Sequence, residues 1–517
     1  MCGVFGVVSR MKEIDATTIA KVAFTGLFQL QHRGQESAGI TVSYNADLVT
    51  HREMGTIDWV FRKRIPEEKI VDLVVNNLAM ANADIASYLA RWLAEQFDAD
   101  KRNMKKPLNK MELTDVRSPL DDMHGDAAIA HVRYSTTGES TSRNIHPILF
   151  IFQHKQAAIA HNGNLIGLEQ LKAIIQGRGG YALEGTTDTE LIAVLIQTSS
   201  APTFKEALIE TLELLKGSFS LVLLYDNIVY AVNDRFAIRP LCVGENEEYA
   251  LVASETCALN AFSCSSIQEL APSTLVTLSR EGICVEQWCQ AEQRRGCMFE
   301  RVYFSRPDSL LDNKRIYLTR QAMGRELARE HPLTGIDVDI VVPVLDSGLP
   351  AAMGYAKEFE YTRGMFTHLF ETALIKGRVN RTFMDPIEDQ RWLLQALKHN
   401  GIPELLRGCI VVIVDDSIVR SNASKAVVRI LRTFDPRMII FLSASPQIQY
   451  SCHLGIDIPK REGLIAYDHS LEEIRAAIGA DYVGYLSVEG LYRAIGKPRA
   501  NFCDGCFTGE YPVAPVD

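Results

Sequence analysis

The chain changes its rhythm of apolar positions part-way along. Over the first 50 residues, and again from about 126 to 280, short runs rich in β-branched or aromatic residues recur between turn signals. Examples are AAIAHVRYS (127–135), AAIAHNGNL (157–165), SFSLVLLY (218–225), IVYAVND (228–234) and YALVASE (249–255). Several come close to alternation, the period of a strand with one buried face. Helical periods interrupt them at 17–31 and 204–216. The pattern predicts layered α and β structure with mostly antiparallel pairing.

From about 338 the runs become continuous. DIVVPVLDSG (339–348) and GCIVVIVDDSIV (408–419) are apolar strands that end in acidic or glycine turns, each followed by a helical segment, PAAMGYAKEF and SKAVVRILRTF. Strand, loop and helix in that order predict a parallel sheet covered on both faces. The segment 57–124 stands apart. Ile85, Leu89, Trp92, Leu93 and Phe97 fall at helical spacing, and the basic run Lys101, Arg102, Lys105, Lys106, Lys110 follows. It reads as an inserted, solvated subdomain, with a partner or oligomer contact as the sharper alternative.

Composition narrows the class. At roughly 150 residues per domain, 517 residues suggest two to four domains. Lys and Arg number 54 against 64 Asp and Glu, and a net charge of −10 argues against a nucleic-acid or anionic-membrane binder. No apolar run approaches the roughly 18 residues of a membrane span, and MCGVFGVVSR lacks the layout of a secretory signal. Eleven scattered cysteines make no disulfide scaffold. They fit thiol chemistry or metal binding in a reducing compartment, so a cytoplasmic enzyme is expected.

Cys2 directly follows the initiator Met. With Met1 removed, thiol and α-amino group share one residue, and an amine titrating near pH 8 can act as base to its own thiol. GVFG follows, then LQHRGQESAGI (30–40), HVRYSTTG (131–138), AHNGNL (160–165) and TTDTELI (186–192). In this order the motifs closely resemble the class II glutamine amidotransferase, or N-terminal-nucleophile glutaminase, domain. The resemblance implies Cys2 as nucleophile, with the Asn162 side chain and Gly163 backbone as donors to the oxyanion of amide hydrolysis. It places Arg133 on the α-carboxylate of glutamine and Asp188 on its α-ammonium, pairings that suit a guanidinium fork and a carboxylate.

A second block, VVIVDDSIVRSNASK (411–425), brings the adjacent carboxylates Asp415 and Asp416 to a strand's C-terminal end, before a loop and a helix whose free N–H groups can hold phosphate. It resembles the phosphoribosyl diphosphate (PRPP) motif of type I phosphoribosyltransferases. YFSRPDS (303–309), PVLDSGLPAA (343–352), LIKGRVNRTF (374–383) and LSVEGL (486–491) agree with it. Together the blocks resemble the amidophosphoribosyltransferase family over nearly the whole chain except 57–124. The resemblance implies a two-domain α/β and α+β protein, an N-terminal-nucleophile αββα sandwich followed by a parallel-sheet phosphoribosyltransferase fold. The expected division is 2–280 for the glutaminase domain, 281–470 for the transferase domain and 471–517 for C-terminal helices and a cluster-binding tail.

The activity implied is glutamine-dependent conversion of PRPP to 5-phosphoribosylamine, with release of pyrophosphate and glutamate, at the start of de novo purine synthesis. Lys376, Arg378, Asp415, Asp416, Arg420, Ser421, Asn422 and Ser424 are the implied PRPP contacts, and Ser347, Asp415 and Asp416 the implied Mg²⁺ positions. The family's iron–sulfur branch implies a 4Fe-4S cluster on Cys297, Cys452, Cys503 and Cys506, with zinc in a Cys₄ site as the physical runner-up. It also implies a homotetramer and purine-nucleotide feedback inhibitors. The other six cysteines read as ordinary thiols.

Departures from the family pattern fall in the second half and just before it. Ser421, Asn422 and Ala423 stand where the family has Gly, Thr, Thr; Ala237 stands for a Gly in NDRFAIRPL and Leu345 for a Pro, and the 376–383 loop is one residue short. The altered 421–423 loop and the shortened 376–383 loop motivate an alternative, a divergent paralogue with an intact glutaminase and a different phosphorylated acceptor.

Overall fold

The computed structural model describes residues 2–11, 15, 17–62, 118–134, 141–365, 367–376 and 399–515. The helix expected around 85–97 and the basic run at 101–110 lie outside them. So does Arg378.

Two antiparallel sheets stack in the first half. One runs Ser266–Glu269, Cys242–Glu245, Tyr249–Ala253, Gly3–Ser9, Ala127–Arg133, Ser37–Tyr44, Asp47–Met54 from edge to edge. The other runs Gly282–Gln287, Thr274–Ser279, Ile228–Asn233, Gly217–Tyr225, Lys155–Leu165, Ile148–Phe152. Between them lies a core of small and β-branched side chains, among them Val4, Ile129, Ala158, Ala160, Val222 and Val252. The alanines matter here, because they let two pleated faces approach closely. Helix Thr18–Phe28 covers the outer face of the first sheet. Leu168–Gly177, Asp188–Gln197 and Phe204–Leu214 cover that of the second. The result is the αββα sandwich.

The second half carries four parallel strands in the order Ile340–Pro343, Ile410–Asp415, Met438–Ser443, Tyr482–Tyr485. Ile316–Glu330 and Leu349–Arg363 bury apolar residues on one face. Asn422–Arg432 and Leu471–Ile478 do so on the other. Every strand interior is buried on both sides, which is why these runs are continuous rather than alternating.

Both expected boundaries move. Gly282–Gln287 is an edge strand of the glutaminase sheet, and Trp288 packs into that half's core, so the first unit extends past 280. Leu471–Ile478 and Tyr482–Tyr485 belong to the parallel sheet and its cover, so the tail begins after them and not at 471. An edge strand following a short turn carries no composition change that could mark a domain end.

Candidate active sites

The register of the first sheet builds the nucleophile's surroundings. Gly3 lies opposite Val132, which brings Cys2 beside Arg133 at the end of the neighbouring strand. The facing sheet contributes Asn162 and Gly163 from Lys155–Leu165, and helix Asp188–Gln197 begins with Asp188. Cys2, Arg133, Tyr134, Gly163, Thr187 and Asp188 line one cleft of about 320 Å³.

The Cys2 N–H donates to Asn162 Oδ1 at 3.3 Å. That contact orients the amide, and Asn162 Nδ2 is left buried without a hydrogen-bond partner among the described residues. A buried orphan donor is costly unless a ligand completes it. Asp188 accepts from Leu165 N at 2.9 Å, and its other oxygen lies 3.6 Å from His161 Nδ1. Burial alone would raise the Asp188 carboxyl, but His161, the Leu165 N–H and Thr189 outweigh it and hold the group below its usual range. It is a carboxylate at neutral pH. Arg133 donates to the Asn144 carbonyl at 2.7 Å, which fixes the base of the guanidinium.

The second cleft sits at the C-terminal ends of the parallel strands. Asp415 ends Ile410–Asp415 and Asp416 follows it, and Val344 N donates to Val414 O at 3.0 Å, holding the Ser347 loop alongside. A Cβ on Gly348 would lie 2.4 Å from Val414 O, so glycine permits this approach. Burial first, and the neighbouring Asp416 charge second, push the Asp415 carboxyl well above its usual range. Lys376 Nζ lies 2.6 Å from Asp346 Oδ2, so it reaches the same loop from the side. Ser421 is buried with φ +61°, and Ser424 is buried in the first turn of Asn422–Arg432. Arg420 and Asn422 are exposed at the rim.

Among curated proteins, amidophosphoribosyltransferase of Methanothermobacter thermautotrophicus is 34% identical over 99% of this chain and 94% of its own length. The chain belongs to the amidophosphoribosyltransferase family. It is an enzyme, a glutamine amidotransferase and pentosyltransferase. The Synechocystis member is 33% identical over 100% of this chain and 92% of its own. A family model described as a glutamine amidotransferase domain matches residues 131–261. The solved glutamine PRPP amidotransferase from B. subtilis, in complex with ADP and GMP, superposes with a TM-score of 0.80 at 32% identity, covering 100% of this chain and 98% of that one.

The candidate cluster cysteines are also brought together. Cys297 and Cys503 are directly opposite in a short parallel ladder, and Cys506 follows in Gly505–Thr508. Burial raises the Cys506 thiol, and Cys297, Cys452 and Cys503 are near enough to raise it further. Leu454 N donates to Cys452 Sγ at 3.3 Å. Among the described residues no three or more His, Cys, Asp or Glu side chains are grouped to hold a single metal ion. No helix among them is long and apolar enough to cross a membrane.

Sequence reasoning assigned no role to the charged network between the two halves. Arg33 and Glu255 are fully buried, and Arg33 Nε donates to the Cys2 carbonyl at 2.9 Å. Arg33 Nη2 donates to Glu300 at 2.7 Å, Arg239 also pairs with Glu300, and Ser309 Oγ donates to Glu255 at 2.7 Å. Burial alone would raise the Glu300 carboxyl, yet Arg33 and Arg239 hold it down at about 2. Its only signal in sequence was charge inside motifs, HRG and SET, where an apolar frame surrounds it. His131, His146 and His161 also line the first cleft, and burial holds His131 neutral, down to about 3.

Proposed function

We propose that Cys2, exposed by removal of Met1, is the glutaminase nucleophile and that the ammonia it releases displaces pyrophosphate from carbon 1 of PRPP in the second cleft. The thiol proton passes to the α-amino group, sulfur attacks the side-chain amide carbon, and ammonia leaves. Water then cleaves the thioester to glutamate. The observation that carries this reading is the unpartnered Asn162 Nδ2 beside Cys2, a donor already desolvated where an oxyanion forms. Arg133 and Asp188 would hold the two charged ends of glutamine.

In the second cleft the proposed PRPP contacts are Lys376, Arg378, Asp415, Asp416, Arg420, Ser421, Asn422 and Ser424. The buried Asp415–Asp416 pair, with the Asp415 carboxyl pushed up first by burial and then by the Asp416 charge, suits a hard cation held by one or two carboxylates plus substrate phosphates. Ser347, Asp415 and Asp416 would face Mg²⁺, which supplies charge neutralisation on the leaving pyrophosphate. Cys297, Cys452, Cys503 and Cys506 would hold a 4Fe-4S cluster. Cys297, Cys503 and Cys506 are buried and Cys452 is half-buried near them, a set of four thiols of the kind that an iron–sulfur cluster takes. A cytoplasmic homo-oligomer restrained by purine nucleotides completes the proposal; the nucleotide part is supported by likeness to the B. subtilis protein with its ADP and GMP.

The test is pyrophosphate release from PRPP and Mg²⁺ with glutamine or with ammonium as nitrogen donor. Release with both supports the reading; release with neither would sink it.

A further inference from the structure

The strand that carries the oxyanion donors does not stand on its own domain alone. A loop of the transferase half, 452–456, lies against it. Asn164 Nδ2 donates to the His453 carbonyl at 2.9 Å, and Ser218 Oγ, buried on the adjacent strand, donates to the Leu454 carbonyl at 2.7 Å. Two consecutive carbonyls of the loop are therefore held by two neighbouring strands of the glutaminase sheet.

Two glycines make the approach possible. Gly455 has φ +92°, and a Cβ built on it would lie 3.0 Å from the carbonyl carbon and 3.1 Å from the Cα of Gly163. A Cβ on Gly163 itself would lie 2.0 Å from Ser218 O. The Gly163 backbone thus has both Gly455 and Ser218 in close approach. The loop is anchored at its far side as well: His453 Nε2 lies 2.7 Å from the Val513 carbonyl, and its ring packs 4.4 Å from that of Tyr511.

We propose that His453–Gly455 is the positioning element of the glutaminase oxyanion site, so that the Gly163 N–H is aimed correctly only while this transferase loop is seated. Ser218, Asn164 and Gly455 are positioning residues, acting on glutamine through Gly163. The inference rests on the oxyanion role proposed for Asn162 and Gly163. Misplacement of such a donor weakens transition-state binding without removing the carboxylate and ammonium contacts that hold glutamine.

The test uses the full chain with Ser218→Ala, Asn164→Ala and Gly455→Ala, assayed with saturating PRPP and Mg²⁺. The expected result for Gly455→Ala is a fall of about ten- to a hundredfold in glutamine-dependent kcat, with the KM for glutamine within about threefold. Ammonium-dependent turnover should stay within about twofold. The single hydroxyl lost in Ser218→Ala should give a smaller change of the same kind, and it keeps the test alive if Gly455→Ala does not fold. Two outcomes would overturn the inference: unchanged glutamine kcat in all three variants, or equal losses with glutamine and ammonium. The unsubstituted chain separates the two readings, because failure of its own glutaminase activity counts against the oxyanion assignment and not against the loop.

Discussion

The two clefts are built by opposite means. In the glutaminase half, the site side chains sit on strand and helix positions inside a closed sandwich, and each is held by a named partner: Asn162 by Cys2, Asp188 by Leu165, Arg133 by Asn144. In the transferase half Asp415, Asp416, Ser421 and Ser424 are buried, while Arg420 and Asn422 are exposed and Lys376 reaches in from a separate strand pair. A small neutral substrate with two charged ends can be met by a preformed pocket. A multiply charged phosphorylated one is met by loop N–H groups, cations and a metal, which must assemble around it. Rigid placement is spent where an oxyanion must be stabilised, and loop adaptability where phosphates must enter and leave.

That contrast breaks most sharply at Cys2. Cys2→Ala should lower glutamine-dependent turnover more than about a thousandfold and leave ammonium-dependent turnover intact. Equal loss with both donors would mean that the clefts are not separate. Asp416→Asn should act on the other side, lowering both activities by about a hundredfold or more. If ammonium-dependent turnover survived it, the acidic pair would lie outside the transferase chemistry.

The join between the halves is the next place to press. Glu300→Gln removes the carboxylate that neutralises Arg33 and Arg239, and loss of one partner from a buried pair costs about 3–5 kcal/mol. A lowered urea midpoint is expected. The folded Glu300 carboxyl titrates at about 2 against an ordinary value of 4.5, so the unfolded chain takes up this proton first as pH falls. Its stabilisation is fully present above 4.5 and lost between 4.5 and 2. Glu300→Gln should flatten the stability profile in that window, and an unchanged acid slope would assign the stability to other groups.

Much of this was legible in the sequence because catalysis restricts residue types at fixed offsets. Cys2, Asn162, Gly163 and Asp188 sit in short motifs, and the structure gathers them round one cleft. The fold class was legible from period alone, alternating in one half and continuous in the other. The join was not. Arg33, Glu255 and Glu300 are far apart in sequence and meet only in the folded chain, so no local pattern announces them. The domain limits were missed for a similar reason: Gly282–Gln287 and Tyr482–Tyr485 are edge strands whose sheet membership is set by partners elsewhere.

The departures from the family pattern are where sequence and structure inform each other most closely. Ser421 and Ala237, where the resemblance to the family implies glycine, have φ of +61° and +47°. A left-handed conformation costs an L side chain about 1 kcal/mol or more, so both positions bear a strain that a glycine would not. Ser421 lies in the loop before Asn422–Arg432, where phosphate would bind, whereas Ala237 lies in the glutaminase half. Ala237→Gly should therefore raise stability by about 1 kcal/mol and leave the KM for PRPP unchanged. Ser421→Gly should gain a similar amount if the strain is present without substrate; strain confined to the bound state would instead leave stability unchanged and lower the KM for PRPP by about fivefold. A KM that did not move, with stability gained, would show that the loop adopts the same strained path with and without substrate. The phosphate cradle would then be as preformed as the glutaminase cleft, and the contrast between the two sites would narrow to their exposure.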